Sequence, residues 1–242
     1  MTKEPFRLDS PLLVQWEYAS EERLRTRNET YRRLVRGVNA EDVAFEAVAE
    51  ASPGRVLEAG CGMGEFAERV AEELGATVCA VDISARMVDL TAARGVDAGV
   101  ADVQALPFGD GEFDVAIANW VLYHAADVDL AVRELARVLR PGGRLVAATL
   151  GVGHLVEAWE LVGGEPTRDL SFWSENGEER LRAAFPRVER RDAEGTLVFP
   201  DPQTLREYIA ASITRAHLAE NVPDFAEPLE TRSAHVVFVA DK

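Results

Sequence analysis

The sequence predicts a doubly wound α/β fold, and three observations carry that expectation. An apolar run breaks into alternating glycines behind a carboxylate in Val56-Leu57-Glu58-Ala59-Gly60-Cys61-Gly62-Met63-Gly64, and a helical pattern follows at once. Strand-like and helix-like segments then alternate from residue 55 to residue 150, the pattern of a parallel sheet covered on both faces. Asp82 and Asp102 follow two of the later strand-like segments, and open sheets of this kind bind ligands at the carboxyl ends of their strands.

Residues 12–50 read as two or three helices. Leu12, Leu13, Trp16, Leu24, Tyr31, Leu34, Val35, Val43, Phe45 and Val48 recur between charges, and Gly37 with Asn39 interrupts them. They are expected as a helical N-terminal cap over residues 1–50, ahead of a main domain at 51–242. Residues 56–58 make a short buried strand, and Phe66, Ala67, Val70, Ala71 and Leu74 recur at helical spacing until Gly75 closes the helix. Residues 77–81 are the second strand, and Ser84 is a fitting N-cap for a helix carrying Met87, Val88 and Leu90. Strands at 96–100 and 113–118 come next. Asp127 can cap a helix whose inner face is Leu130, Ala131, Leu135, Val138 and Leu139, and Pro141-Gly142-Gly143 turns into a fifth strand at 144–149, completing a core at 55–150. Beyond it the alternation loosens. Helices at 153–162 and 177–185, joined by an aromatic loop with Phe172 and Trp173, are expected as a lid insertion at about 151–187. Strand material at 188–191 and 196–199 follows, then a helix opened by Asp201-Pro202 with Leu205, Tyr208, Ile209, Ser212 and Ile213 along it, and a last strand at 233–240.

Alternating glycines let the chain turn at φ > 0 and bring backbone N–H groups to a ligand with no Cβ in the way. Here the spacing is G-x-G-x-G with Glu58 two residues ahead, unlike the dinucleotide pattern G-x-G-x-x-G. The loop resembles motif I of the class I S-adenosylmethionine-dependent methyltransferases, E/D-x-G-x-G-x-G, matched at Glu58, Gly60, Gly62 and Gly64 with Cys61 inside it. Ala101-Asp102-Val103-Gln104-Ala105-Leu106-Pro107-Phe108, then Phe113-Asp114-Val115 leading to Asn119, then Arg137-Val138-Leu139-Arg140-Pro141-Gly142-Gly143, extend the resemblance over residues 55–150, toward the type 11-like small-molecule members. It implies a Rossmann-like sheet of seven strands, mostly parallel with the last antiparallel, and S-adenosyl-L-methionine as cofactor. Asp82, 18 residues beyond Gly64, is placed to accept both ribose hydroxyls, although a similar acid serves NAD. The resemblance gives Asp102 the adenine amine and the Val103 N–H a ring nitrogen, with Ile83 and Met87 on either side of the ring and Asn119 at the cofactor edge.

The implied reaction is in-line displacement at a sulfonium methyl, for which positioning supplies several kcal/mol, up to roughly 7–11 in the best-oriented cases. A base helps if the acceptor is a hydroxyl or ammonium group. Of the four histidines, His124 is best placed, five residues after Asn119; the alternative is that it packs ahead of the Asp127 helix. Tyr18 either shields the methyl group from the cap side or staples cap to core. Trp120, Tyr123, Trp159, Phe172 and Trp173 fall in segments expected above the pocket, which favours an apolar or aromatic-lined acceptor site.

Composition narrows the partners. With 42 acidic and 26 basic residues the formal charge is −16, so a polyanion is repelled and no nucleic acid is expected. Asn119-Trp120-Val121-Leu122 stands where base-amine methyltransferases carry Asn/Asp-Pro-Pro-aromatic, and no Pro-Cys nucleophile is present. Arg23, Arg25, Arg27, Arg32, Arg33 and Arg36 read first as the solvated face of a helix. The two cysteines, Cys61 and Cys79, read as reduced, and no ligand cluster for a metal is present. Residues 1–7 lack an apolar leader core and no apolar run reaches bilayer length, so a cytoplasmic protein with no membrane partner is expected. A small molecule is the expected acceptor. A non-catalytic S-adenosylmethionine-binding regulatory subunit and an NAD(P)-dependent oxidoreductase are the alternatives. Leu197-Val198-Phe199-Pro200-Asp201-Pro202 to Tyr208 is similar to the carboxyl-methylating enzymes of biotin synthesis over too short a stretch to name a substrate. Neither the attacked atom nor the oligomeric state is set by the sequence.

Overall fold

Period-two apolar runs build one eight-stranded sheet buried on both faces. The structure, a computed structural model, describes residues 8–212 and 214–242. Residues 1–7, read above for a leader, and Ile213 lie outside the described residues, as do the side chains of Pro11, Leu12 and Gln15. The strands are β1 (Val35–Gly37), β2 (Arg55–Ala59), β3 (Thr77–Asp82), β4 (Asp97–Val100), β5 (Phe113–Ile117), β6 (Leu139–Leu150), β7 (Arg187–Phe199) and β8 (Leu229–Asp241). Their order across the sheet is β1-β7-β8-β6-β5-β2-β3-β4. Strands β2 to β6 are mutually parallel, and β8 is antiparallel to both β6 and β7. Strands β2 to β8 therefore give the expected seven-stranded Rossmann-like sheet, with only the last strand reversed.

The eighth strand departs from expectation. Residues 35–37, read as part of a helical cap, leave the helix and pair with β7, Val35 opposite Leu197 and Gly37 opposite Gly195. Two glycines permit it: Gly37 sits at φ +86°, and a Cβ on Gly195 would stand 2.7 Å from the Arg36 carbonyl oxygen. Likewise β7 is one strand instead of two, because Asp192 to Gly195 stay in register with Val236 to Ser233 of β8. Pro141–Gly143, expected as a plain turn, lies inside β6 as a kink, with Gly142 at φ +76° donating its N–H to Lys242.

Helices α1 (Pro11–Glu17), α2 (Glu22–Leu34), α3 (Ala40–Glu50), α4 (Glu65–Leu74), α5 (Ala85–Ala92), α6 (Val128–Val138), α7 (Val156–Leu161), α8 (Gly177–Arg182) and α9 (Pro202–Ala210) surround the sheet. The side-chain alternation decides which face each strand residue covers. Leu57, Ala116, Leu145 and Phe238 pack with Leu135 of α6 and Leu181 of α8, whereas Val56, Val115, Val146 and Val239 pack with Phe45 of α3 and Phe66 and Val70 of α4. A third cluster, away from these faces, joins Leu34 of α2, Trp159 of α7, Leu197 and Phe199 of β7, and Leu205 and Ile209 of α9. The caps read from the sequence are made: Ser84 accepts from the Met87 N–H, Asp127 from Leu130 and Asp201 from Thr204.

Between β5 and β2 the sheet reverses its winding, since β3 and β4 lie on one side and β6 on the other. Such a switch point opens a crevice at the carboxyl ends of its strands. None of the described helices is long and apolar enough to cross a membrane.

Candidate functional site

A cavity of about 1380 Å³ lies over that crevice, lined by the ends of β2, β3, β4 and β5 below and by α1, α2, α7 and α9 above. Glu58, Gly60, Cys61, Gly62, Asp82, Ile83, Asp102, Val103 and Asn119 all line it. These residues span 62 positions of chain, and the parallel register places them side by side. Gly64 and Met87 do not line it. Met87 is fully buried beneath the α5 N-terminus, and a Cβ on Gly64 would meet Thr91 Oγ1 at 2.6 Å, so both serve packing and are corrected from ligand contacts to scaffold.

The glycine loop does less for a ligand, and more for the protein, than its sequence suggests. The N–H groups of Gly60 and Cys61 both donate to the Val81 carbonyl, at 2.7 and 3.1 Å, that of Gly62 to the Asp82 carboxylate and that of Gly64 to Cys61. They are not free donors facing the cavity. Gly60 is required because a Cβ would stand 2.5 Å from Val121 Cγ2 and because φ is +76°. The loop is a turn tied to β3 with Val121 packed against it.

Asp82 ends β3 with each oxygen already accepting one backbone N–H, Gly62 at 3.0 Å and Ser84 at 2.9 Å, while the remaining lone pairs are available to the cavity. Burial raises its pKa against the pull of those N–H groups. Asp102 is held by the Gln104 side chain at 3.0 Å, and Gln104 in turn accepts from the Asp127 N–H. Ile83 is 51% exposed on the cavity rim. Two polar atoms at the floor have no protein partner: Glu58 Oε2 and Asn119 Nδ2. Glu58 is 3% exposed, and burial, with Glu41 and Asp82 nearby, lifts its pKa well above the ordinary carboxylate range. Two unsatisfied polar atoms on residues that line one cavity mark where a polar ligand belongs, since orphaned buried groups cost about 1–3 kcal/mol each.

Tyr18 and His124, named separately from the sequence, meet in the structure. The Leu8 carbonyl lies 2.8 Å from His124 Nδ1 and can only accept, so Nδ1 carries the proton and Nε2 accepts from the Tyr18 hydroxyl at 3.0 Å. Burial holds His124 down at about 4 and pushes Tyr18 up to about 12. The Tyr18 carbonyl accepts from Ser84 Oγ at 2.7 Å, so α1 is docked two residues from Asp82. Behind Tyr18, Arg27 of α2 pairs with Glu17 and donates to the Ala211 carbonyl.

Trp120, Tyr123, Trp159 and Trp173 line the cavity, whereas Phe172 is fully buried in the core and is corrected from pocket to packing. Trp120 holds φ +54°, an uncommon conformation for a non-glycine residue, directly after Asn119. Sequence spacing gave little weight to His154 and His235 and none to Arg215, yet all three line the cavity. His154 and His235 are 81 positions apart, brought together when β8 pairs with β6, and nothing in local spacing signals that. Among the described residues no group of three His, Cys, Asp or Glu side chains is arranged to hold a metal, and both cysteines are free.

Residues 57–147 match the family described as "Methyltransferase domain". A malonyl-[acyl-carrier protein] O-methyltransferase of Pseudescherichia vulneris is 38% identical over 128 residues, 50% of this chain and 50% of that protein. One of Serratia marcescens is 34% identical over 159 residues, 63% and 61% of the two chains. The chain spans about half the length of the curated relatives it matches. The N-methyltransferase NodS of Bradyrhizobium japonicum WM9, solved with S-adenosyl-L-homocysteine, superposes with a TM-score of 0.58 over 97% of this chain and 98% of that one at 16% identity, a likeness of fold alone. Its glycine loop, its strand-end acids and the match over 57–147 make that part of the chain a methyltransferase domain, similar to those of the class I S-adenosylmethionine-dependent enzymes.

Proposed function

We propose that the protein transfers a methyl group from S-adenosylmethionine to a small-molecule acceptor bound beneath the α1–α2 helices. The observation that carries this reading is the convergence of Glu58, Asp82, Asp102 and Asn119 on one cavity, with Glu58 Oε2 and Asn119 Nδ2 left unsatisfied by the protein. When bound, S-adenosylmethionine supplies an electrophilic methyl on a sulfonium. Asp82 would accept from the ribose hydroxyls through its free lone pairs. Asp102, released in part from Gln104, would take the adenine amine, with the Val103 N–H on the ring and Ile83 against one face. Glu58 and Asn119 would hold the polar methionine end.

Tyr18 and His124 bear on the acceptor. A base held near 4 is a poor match to proton abstraction at neutral pH. Its lone pair is also engaged by Tyr18. The pair therefore positions: His124 fixes the Tyr18 hydroxyl, whose oxygen retains accepting capacity toward an acceptor O–H or N–H. Acceptors that are already nucleophilic suit this site better than those needing a strong base. The activity for which those relatives are named, O-methylation of malonyl-[acyl-carrier protein], is an example of such an acceptor, there carried on a protein. The free, buried cysteines fit a reducing, cytoplasmic setting.

Calorimetric titration with S-adenosylmethionine, S-adenosylhomocysteine and NADH tests the cofactor. Saturable binding of the first two and none of the third is expected, and the reverse order would return the oxidoreductase reading. Incorporation of labelled methyl into a metabolite pool then separates an enzyme from a cofactor-binding regulatory subunit.

A further inference from the structure

On the upper wall of the cavity a cation stands without a counter-charge. Arg215 lines the cavity with its guanidinium 4.2 Å over the Trp159 ring. Among the described residues it makes no ion pair and no hydrogen bond, and burial alone lowers its pKa. None of Glu17, Glu58, Asp82 and Asp102 figures among the influences on its charge. Beside it, Trp159 Nε1 and His154 Nδ1 are buried with no protein partner, and both residues line the same cavity. The Arg215 charge reaches His154 and adds to the burial that holds that imidazole at about 4.

Half-burying an unpaired guanidinium beside two buried, unsatisfied nitrogens is costly, and native proteins rarely leave such groups without a partner. An anionic oxygen group satisfies all three together. The face of Arg215 is covered by the indole, which leaves its edge for a two-oxygen fork, and an indole N–H is a donor only. With His154 neutral, the cluster carries one positive charge, the match for a singly charged carboxylate instead of a phosphate monoester with nearly two negative charges.

His235 and Trp120 stand between this cluster and the end of β5. The His154 and His235 rings are 4.4 Å apart, and the His235 and Trp120 rings 5.6 Å. A group at Arg215 is therefore two rings removed from the strand ends where the cofactor residues meet. We propose that the acceptor carries a carboxylate, bound by Arg215, Trp159 and His154 as an anchor, while the atom to be methylated lies at the Tyr18–His124 end. The term acceptor rests on the methyl-transfer reading above; the carboxylate site does not.

Calorimetric titration of the full chain, alone and with S-adenosylhomocysteine, uses 3-phenylpropanoate, 3-phenylpropanamide and phenyl phosphate as probes. The acid is expected to bind at least about tenfold more tightly than the amide, and Arg215→Gln to bring the ratio near one. Arg215→Gln loses its contact with the Trp159 ring but no hydrogen bond or ion pair in the free protein, so it should still fold. Equal binding of acid and amide, no saturable binding of the acid, tighter binding of phenyl phosphate, or a preference retained in Arg215→Gln would each overturn the proposal. Should that variant fail to fold, Trp159→Phe decides: affinity for the acid is expected to fall several-fold and that for the amide to hold, and an equal fall sinks the assignment. Failure of S-adenosylhomocysteine to bind, with the carboxylate preference intact, would count against the methyl-transfer reading alone.

Discussion

The two halves of the cavity are built on different principles. At the strand ends the protein satisfies most of its own polar groups, with Asp82 on Gly62 and Ser84, Asp102 on Gln104, and the loop amides on Val81. Neighbouring parallel strands, β2 with β3 and β3 with β4, fix that half through their register. Its ligand groups are therefore held before anything binds. Under α7 and α9 the side chains come from Tyr31, His154, Trp159, Tyr208, Arg215 and His235; Trp159 Nε1 and His154 Nδ1 have no protein partner, and Arg215 has no ion pair or hydrogen bond among the described residues. Preorganisation of the first half suits a cofactor common to a family, and the unpaired groups of the second suit one particular acceptor.

The largest expected effect breaks the first half. Gly60→Ala places a Cβ 2.5 Å from Val121 Cγ2 at φ +76° and should abolish cofactor binding while lowering the melting temperature. Adding Val121→Ala should restore much of the stability, leaving the left-handed backbone cost of about 1–2 kcal/mol. If the double variant melts no higher than Gly60→Ala, the wedge of Val121 against the loop is not what the glycine serves.

Next comes Asp82→Ala, which removes the ribose acceptor and unpairs two backbone donors. Affinity for S-adenosylhomocysteine should fall about ten- to a hundredfold by calorimetry. Affinity within twofold of wild type would remove Asp82 from the cofactor site.

A smaller loss is expected where the halves meet. His124→Ala frees the Tyr18 hydroxyl, and single-turnover methyl transfer should slow by less than the roughly hundredfold that marks a lost general base, with no rise in wild-type rate between pH 5.5 and 8. A larger loss together with a pH–rate step near neutrality would restore His124 as a base.

Acid should separate the halves most gently. His124 and His154 sit at about 4 and His235 well below its ordinary value, each depressed by burial. A depressed folded pKa contributes stability that is complete above the unfolded value near 6.5 and is lost as pH falls toward 4, because the unfolded chain takes up the protons first. Glu58 and Asp82 are shifted upward and run the other way, gaining as pH falls. Melting temperature should therefore drop as pH goes from about 6.5 to 4, with hydrogen exchange rising first around His154 and His235, and His154→Leu should flatten the drop. Exchange that rises first around β2 and β3 would reverse the ranking of the halves.

The comparison also shows why part of the site was legible in the sequence. The strand-end residues sit at fixed offsets from strands that periodicity reveals, so Glu58, Asp82, Asp102 and Asn119 could be placed on one edge before any coordinate was known. Met87 and Gly64 were misread because the same motif positions serve helix packing, and a spacing pattern does not say which side of the backbone faces the ligand. The strand at Val35–Gly37 was missed because its pairing partner lies about 160 residues away.

By itself the sequence determined the doubly wound sheet, its switch point and the cofactor edge, because these follow from local periodicity and from rules of strand connection that hold for any chain. Tertiary structure alone decided that Tyr18 rests on His124, that burial makes that imidazole a weak base, and that Arg215, Trp159 and His154 share one unsatisfied corner. Those facts depend on which side chains meet across the fold and on how much water they lose in meeting, and neither quantity is written in the spacing of residues along the chain.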